Sequence, residues 1–292
     1  MKLYNLGSLN IDYVYAVSHF VTAGETLASE SMQVFPGGKG LNQSVAAARA
    51  GAKVVHGALM GEGGDFLLDA MLSSGVDISR IQKVGGSCGH AIIQVENGGQ
   101  NGILLFPGTN HRIDESYVEA FLADAEPNDI LLLQNEISGL DAAFSLAHEK
   151  GMQIAFNPSP FHPSLRQLPL SHVAWWFCNE IEGEALFGSS DPEQIAANFA
   201  KLYPESSLIL TLGENGSLFK NRDTLIRQDA CPAKAVDTTA AGDTFTGYFM
   251  AAVMSGQATT AALAIASKAS AITVSRPGAS ESIPFLHEVD HV

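Results

Sequence analysis

Short runs of apolar residues alternate with amphipathic segments along most of this chain. The apolar runs predict β-strands over residues 3–6, 54–59, 130–133, 153–156, 173–177 and 208–212. The segments with helical spacing predict α-helices over residues 41–50, 65–74, 115–125, 140–150, 192–202 and 244–255. Strands whose sequence is almost continuously apolar are buried on both faces. The pattern therefore predicts an α/β fold, a three-layer αβα sandwich with a mostly parallel central sheet.

Two turn-rich regions, residues 11–35 and 87–106, interrupt this alternation. The second region contains the turn Asn97-Gly98-Gly99 between apolar runs at 91–95 and 103–106, which predicts a β-hairpin. We expect the two regions to pair into a small β-sheet that acts as a lid over a substrate. The alternative is two unrelated surface excursions. No repeat or linker divides the chain, so we expect one domain over residues 1–292.

Composition narrows the class of protein. Hydrophobic residues make up 46% of the chain and charged residues 16%, which is typical of a packed globular protein. The formal net charge of −15 opposes binding to a phosphate backbone, so we expect no nucleic-acid partner. The three cysteines form no Cys-x-x-Cys pair, and neither a disulfide framework nor a zinc site is indicated. Without a signal-like or membrane-spanning apolar run, we expect a cytoplasmic protein with no membrane partner.

The stretch Asp237-Thr238-Thr239-Ala240-Ala241-Gly242-Asp243 leads directly into an apolar helical segment. Small residues let backbone N–H groups approach a ligand, and amides at the start of a helix attract anions. Residues Ala240 to Asp243 could therefore cradle a phosphate, and the Asp243 carboxylate would lie at its edge. The alternative is that Asp243 is an ordinary capping or first-turn acid, stabilised by the helix dipole.

Polar residues also follow the first strand and a glycine-rich turn. Asn10 and Asp12 come just after residues 3–6, near the carboxyl end of a strand, where open α/β sheets bind ligands. An amide and a carboxylate together suit the vicinal hydroxyls of a sugar, although an Asx turn is the alternative. The segment Gly37-Gly38-Lys39-Gly40-Leu41-Asn42 suggests a phosphate loop but lacks Walker A spacing. A tight turn with Asn42 as a helix cap is the alternative there.

Both glycine-containing stretches resemble signatures of the ribokinase (PfkB) family of carbohydrate kinases. Residues 37–42 resemble the signature Gly-Gly-x-Gly-x-Asn, and residues 237–245 resemble Asp-Thr-x-Ala-Ala-Gly-Asp-x-Phe. The resemblance extends from Gly7 to about Pro284, with both signatures in the family's order. It implies ATP-dependent phosphorylation of a primary sugar hydroxyl, with Asp243 as the base. Ala240, Ala241 and Gly242 would form the anion hole.

The same resemblance implies a sugar pocket and favours a pentose, D-ribose, as the substrate. The pocket would comprise Asn10, Asp12, Gly38, Lys39, Asn42, Glu136 and Asp243. One alternative is a kinase for a nucleoside, another pentose or a hexose; a nucleoside base would need a slot formed by Tyr13, Tyr15 or Phe106. A second alternative is a sugar-binding regulator without catalytic activity. A Rossmann dehydrogenase is disfavoured because the first strand leads to no Gly-x-Gly-x-x-Gly.

Further residues are assigned by the resemblance to ATP, Mg²⁺ and a monovalent cation. Asn179 and Glu182 match the motif that organises Mg²⁺ and phosphates, and their spacing also predicts a capping box. The expected nucleotide-binding turn contains Thr211, Gly213 and Gly216, although Glu214 departs from the small polar residue common in the family. The expected K⁺ site comprises Asp237, Thr239, Thr273, Arg276, Gly278 and Ser282. The resemblance also implies a homodimer formed through the lid.

Overall fold

A computed structural model describes residues 1–98 and 100–289 of the 292-residue chain. Its strands are β1 (Leu3–Leu6), β2 (Asn10–Val17), β3 (Ser31–Gly37), β4 (Val54–Glu62), β5 (Asp77–Ser87), β6 (Gly89–Glu96), β7 (Asn101–Phe106), β8 (Ile130–Gln134), β9 (Gln153–Asn157), β10 (Val173–Asn179), β11 (Ser207–Thr211), β12 (Ser217–Lys220) and β13 (Leu225–Gln228). Its α-helices are α1 (Lys39–Arg49), α2 (Asp65–Leu72), α3 (Glu115–Phe121), α4 (Leu140–Glu149), α5 (Glu180–Phe187), α6 (Pro192–Leu202), α7 (Ala241–Met254), α8 (Thr259–Val274) and α9 (Leu286–Val289).

The central sheet has nine strands in the order β13-β12-β11-β10-β9-β8-β1-β4-β5. Neighbouring strands from β11 to β5 pair in parallel, whereas β12 and β13 add antiparallel pairs at one edge. The carboxyl ends of the parallel strands therefore meet along one edge of the sheet. The predicted mostly parallel sheet is confirmed, and this edge is where a ligand site is expected.

Helices cover both faces of this sheet, and each strand contributes alternate side chains to the two faces. In β8, Ile130 and Leu132 belong to the core beneath α1, α2, α7 and α8, whereas Leu131 and Leu133 belong to the core beneath α3, α4, α5 and α6. A strand that is buried on both sides needs an apolar residue at almost every position. This requirement explains the continuous apolar runs and confirms the three-layer prediction.

A second sheet of four strands, in the order β3-β2-β6-β7, lies beside the main sheet. β2 pairs in parallel with β6, and antiparallel pairs β2–β3 and β6–β7 complete it. The two turn-rich regions do form one sheet, and the predicted hairpin is β6–β7; its turn residue Gly99 lies outside the described residues. The first of the two regions contributes strands from Asn10 to Gly37, slightly beyond the predicted limits of 11 and 35.

Several elements were not among the predicted ones. Strand β5 is mostly exposed and rich in polar residues, so no apolar run marks it. Helix α8 consists largely of Ala, Ser and Thr, which give little contrast between an apolar and a polar face. Helix α3 ends at Phe121, earlier than the predicted limit of 125. Within the described ranges, no helix combines the length and the apolar character needed to cross a bilayer.

Candidate active site

A cleft of about 590 Å³ opens at the carboxyl edge of the central sheet and is covered on one side by the small sheet. Most of the side chains singled out from the sequence line this one cleft. They are Asn10, Asp12, Gly38, Lys39, Asn42, Glu136, Asn179, Glu182, Thr211, Thr239, Ala240, Ala241, Gly242 and Asp243. These residues are separated by up to 233 positions, and the parallel topology brings their strand ends and helix starts together.

The start of α7 presents free backbone amides to the cleft. Ala240 is the N-cap and has a left-handed backbone (φ +62°), the only non-glycine residue of the described chain with positive φ. This conformation costs about 1–2 kcal/mol for an L-residue with a side chain. No acceptor among the described residues takes a hydrogen bond from the amides of Gly242 or Asp243. Both residues line the cleft, so these donors remain available to an anion.

The Asp243 carboxylate is held by two amide side chains of α1. Gln43 Nε2 donates to Asp243 Oδ1 at 2.8 Å, and Asn42 Nδ2 donates to Asp243 Oδ2 at 3.1 Å. Asp243 is a first-turn acid of α7, as the alternative allowed, but it does not cap the helix, because its side chain bonds a different helix and Ala240 is the N-cap. Asn42 is likewise no cap, since it lies within α1. Its Oδ1 is a buried acceptor with no partner in the described part of the chain.

Asn10 and Asp12 begin β2, on the cleft side of the small sheet. Asp12 is almost fully buried, and burial, together with the nearby carboxylates of Glu136 and Asp243, raises its pKa to about 7. Gly37 pairs with Asn10 on the neighbouring strand, and a β-carbon at Gly37 would collide with the Asp12 carboxylate. The first glycine of the motif, Gly37, thus leaves room for the buried Asp12 carboxylate.

Glu136 connects the end of β8 to the start of α1. Its Oε2 accepts from the backbone N of Lys39 at 3.0 Å and also from the hydroxyl of Ser8. Burial opposes the charge of Lys39, but the carboxylates of Asp243, Glu136 and Glu182 together raise its pKa above the usual value. The cleft therefore contains a protonated lysine, whose positive charge can attract the phosphate of a ligand.

Comparison with known proteins agrees with this geometry. The model of the pfkB family carbohydrate kinases matches residues 2–286. The chain belongs to the PfkB family. It is 36% identical to the ribokinase of Schizosaccharomyces pombe over 306 residues, which cover 98% of this chain and 95% of that protein.

Solved PfkB-family structures also share the fold over nearly the whole chain. A ribokinase from Cryptococcus neoformans var. grubii serotype A in complex with ADP superposes with a TM-score of 0.88 at 33% identity, covering 99% of both chains. A ribokinase from Arabidopsis thaliana complexed with ribose and ATP has a TM-score of 0.88 at 27% identity, covering 99% of this chain and 97% of that one. The predicted family and the predicted fold class are confirmed.

The residues that the PfkB resemblance assigns to the nucleotide divide into two groups. Asn179 and Glu182 line the cleft and form a capping box at the start of α5, with N–O distances of 2.9 and 2.8 Å. Thr211, at the end of β11, also lines the cleft. Gly213 and Gly216 lie in the turn between β11 and β12, outside the cleft lining. The predicted capping box is confirmed, and it leaves Glu182 at the cleft wall.

The residues expected to hold a monovalent cation are only partly brought together. Asp237 accepts from the amides of Thr239 and Gly278 at 2.9 and 3.1 Å. The Thr273 hydroxyl lies 3.0 Å from that of Thr244 on α7. The other two side chains bond elsewhere: Arg276 pairs with Glu288, and the Ser282 hydroxyl donates to Ala279 O. Among the described residues there is no cluster of three or more His, Cys, Asp or Glu side chains suited to a metal.

Two polar side chains that contact the site residues were not predicted. Asn110 lies in the short helical turn Gly108–Arg112; its Oδ1 accepts from Leu9 N at 3.0 Å, and its Nδ2 donates to Asn10 Oδ1 at 2.8 Å. Nothing in the sequence links it to Asn10, which is 100 positions away. Gln43, by contrast, directly follows Asn42 and is wholly buried in α1. A long polar side chain on the apolar face of a predicted helix indicates a buried hydrogen bond, so the sequence could have pointed to Gln43.

Proposed function

We propose that this PfkB-family chain transfers the γ-phosphoryl group of ATP to the terminal primary hydroxyl of D-ribose, giving D-ribose 5-phosphate. The observation that carries the proposal is the position of the Asp243 carboxylate. It lies beside the free amides at the start of α7 and in the same cleft as Asp12 and Asn42. Support for ribose comes from the similarity to the S. pombe ribokinase and to the A. thaliana ribokinase that binds ribose and ATP.

The residues around the start of α7 fit a phosphoryl group. Helix starts carry about half a positive charge, and the amides of Gly242 and Asp243 have no other acceptor in the described chain. Lys39, which lines the same cleft, adds a full positive charge. Because the transition state of phosphoryl transfer spreads charge over three oxygens, preformed donors at this point lower its free energy.

In the proposed step, the sugar hydroxyl oxygen attacks the γ-phosphorus in line. A new O–P bond forms, the bond to the oxygen between the β- and γ-phosphorus atoms breaks, and ADP leaves. The proton of the hydroxyl passes to the Asp243 carboxylate. The transition state is loose, so the base mainly orients the hydroxyl and accepts the proton late, which an ordinary carboxylate can do.

The sugar would be bound by other acceptors and donors that line the same cleft. Asp12 and Asn10 lie at the start of β2, and Asn42 Oδ1 is a buried acceptor that still lacks a partner among the described residues. Such an acceptor costs about 1–3 kcal/mol until a donor reaches it. A sugar hydroxyl supplies that donor, so substrates without the hydroxyl should bind much more weakly.

We also propose that Mg²⁺ accompanies ATP near Glu182. This residue lines the cleft, and one of its carboxylate oxygens is not used by the capping box. That arrangement fits an ion that retains most of its water, and the ion would neutralise charge on the phosphates. K⁺ near Asp237 and Gly278 is a separate proposal, supported only by the contact that joins these two residues. A cytoplasmic location and the lack of nucleic-acid and membrane partners stay predictions.

The strand register bears on the nucleoside alternative. Asp12, Ala91 and Leu105 pair across the small sheet and line the cleft. Successive side chains of a strand face opposite sides, so the neighbouring positions Tyr13 and Phe106 face away from it. Both rings instead flank His90, and neither they nor Tyr15 line the cleft. The aromatic slot that a nucleoside base would need is therefore not formed by these three residues.

Measuring ADP release with D-ribose, D-fructose, adenosine and pseudouridine tests the proposed substrate. We expect kcat/KM to be highest for D-ribose, because the cleft combines hydroxyl-binding groups with an aliphatic cover from the small sheet. Turnover of adenosine above that of D-ribose would favour the nucleoside alternative. No ADP release above background with D-ribose would refute the proposed substrate.

We propose that the chain works as a single domain, that the small sheet is its lid and that this sheet also forms a homodimer. Val34, Ile92 and Leu104 lie in one cross-strand row on the face away from the cleft, and Leu104 is 68% exposed. Apolar side chains in such a row favour association with another apolar surface. Sedimentation of the wild type should show a dimer, and Leu104→Lys should shift it to the monomer. A wild-type monomer at micromolar concentration would refute the dimer.

A further inference from the structure

A chain of buried side-chain amides runs beneath the cleft and ends at Asp243. Asn5 Nδ2 donates to the backbone carbonyl of Gly40 at 2.9 Å, and Asn5 Oδ1 accepts from Gln134 Nε2 at 2.9 Å. Gln134 Nε2 also donates to Gln43 Oε1 at 2.7 Å, and Gln43 Nε2 donates to Asp243 Oδ1 at 2.8 Å. Asn5, Gln43 and Gln134 are all wholly buried, and none of the three lines the cleft.

A backbone carbonyl fixes the orientation of the first amide in this chain, and each amide then fixes the orientation of the next. A carbonyl oxygen only accepts hydrogen bonds, so the Asn5 group that faces Gly40 O must be its NH₂, and its oxygen must face Gln134. Gln134 then presents its NH₂ to Gln43, and Gln43 must receive it with its oxygen. The NH₂ of Gln43 is left to face the Asp243 carboxylate.

A second contact fixes the same orientation from the other side. Asn157 Nδ2 donates to Phe177 O at 2.7 Å, which turns Asn157 Oδ1 toward Gln43 Nε2 at 3.4 Å. A flipped Gln43 amide would place its oxygen against two acceptors, Asp243 Oδ1 and Asn157 Oδ1. Because repulsion of this kind is costly in a buried setting, only one orientation of Gln43 is stable.

We propose that Gln43 is a positioning residue for the transfer step. Its fixed N–H occupies Asp243 Oδ1 and holds the carboxylate plane, so that Oδ2, on the Asn42 side, keeps a free lone pair for the sugar hydroxyl. This inference rests on the proposed role of Asp243 as the base. Gln43 does not line the cleft; it acts through the geometry of the Asp243 carboxylate, which does.

Gln43→Met tests the proposal, because it preserves the length of the side chain and removes the donor. A hydrogen bond to a charged group contributes enough that kcat should fall by about 10- to 100-fold. The KM for the sugar should change by less than about threefold, since the residue makes no substrate contact. Gln134→Met should lower kcat less, because Gln43 keeps its donor but loses the partner that orients it.

A double-mutant cycle separates positioning from simple stabilisation. Combined with Asp243→Asn, which removes the base, Gln43→Met should cause almost no further loss of kcat. An equal loss in both backgrounds, or an unchanged kcat of Gln43→Met alone, would overturn the proposal. If Gln43→Met does not fold, Gln134→Met, which removes only the partner that orients Gln43, should show the same non-additivity with Asp243→Asn; additive losses would again overturn the proposal.

A matched control is Tyr117→Phe on α3, which removes buried hydrogen bonds to Ala58 O and Arg80 O on the other face of the sheet. It should lower Tm without lowering kcat. The cycle is measured with whichever sugar the wild type phosphorylates. Failure of D-ribose as a substrate would therefore count against the proposed function, and additivity of the two mutations would count against Gln43.

Discussion

Replacing Asp12 by Asn should change how the stability of the protein depends on pH. Burial and the neighbouring carboxylates Glu136 and Asp243 raise the Asp12 pKa from 3.8 to about 7 in the folded chain. Below pH 3.8 the group is protonated in both the folded and unfolded states and adds no pH dependence. Between pH 3.8 and about 7 the unfolded chain releases this proton while the folded chain retains it, so stability falls as pH rises. Above about pH 7 the penalty is constant.

The size of the effect follows from the same two pKa values. A displacement from 3.8 to about 7 corresponds to a penalty of about 4 kcal/mol for the ionised group in the empty cleft. About 3 kcal/mol of this penalty develops between pH 4.5 and 8, because the unfolded state is already mostly ionised at the lower pH. Asn cannot ionise, so the Asp12→Asn variant does not incur this penalty. Its stability relative to the wild type should therefore increase by about 3 kcal/mol between pH 4.5 and 8.

Urea unfolding at the two pH values, followed by the fluorescence of Trp175 and Trp176, measures the free energy of unfolding of each variant. Relative to the wild type, the free energy of unfolding of Asp12→Asn should be about 3 kcal/mol higher at pH 8 than at pH 4.5. Asp69→Asn, an exposed acid on α2 outside the cleft, is the matched control and should show no such change. A difference for Asp12→Asn that is the same at both pH values would refute the reasoning about burial.

Three further predictions follow from other parts of the site. Asn110→Ala should raise the KM for D-ribose by about tenfold while kcat changes little, because Asn10 loses the partner that orients its amide; an unchanged KM in steady-state kinetics would contradict this role. The KM of the wild type for D-ribose should fall as pH rises through about 7, where Asp12 becomes a carboxylate that accepts hydroxyl protons, and Asp12→Asn should abolish this dependence. Replacing K⁺ by tetramethylammonium should lower turnover of the wild type but have a smaller effect on Asp237→Asn; equal turnover in both salts would argue against the cation site.

The fold could be predicted to a large extent because two-sided burial leaves a direct trace in the sequence. The apolar runs of β1 and β8 reflect packing against both helix layers. Strand β5 left no such trace, since an exposed edge strand is free to carry polar residues. The pairing of β2 with β6 was a hypothesis about two distant regions, and only the folded chain shows their register.

The site could be predicted where a residue contributes through its own chemistry at a motif. Asp243, Asp12 and Asn42 do so, and all three line the cleft. Asn110 and Gln134 contribute through the orientation they impose on another amide, which depends on a contact between distant segments. The aromatic residues that the nucleoside alternative would need do not line the cleft, because successive side chains of a strand face opposite sides of the sheet. Tyr13 and Asp12 are adjacent in the chain and therefore lie on opposite faces.

The central claim is that Asp243 accepts the proton of the sugar hydroxyl, and Asp243→Asn tests it most directly. Asp141→Asn, which changes a first-turn acid of α4 outside the cleft, is the matched control and should keep wild-type turnover. Single-turnover phosphorylation and calorimetric sugar binding should be measured on both variants. We expect Asp243→Asn to bind the sugar within about threefold of the wild type and to lose about 100- to 10,000-fold in the rate of phosphorylation. A rate for Asp243→Asn close to that of the wild type would contradict the claim.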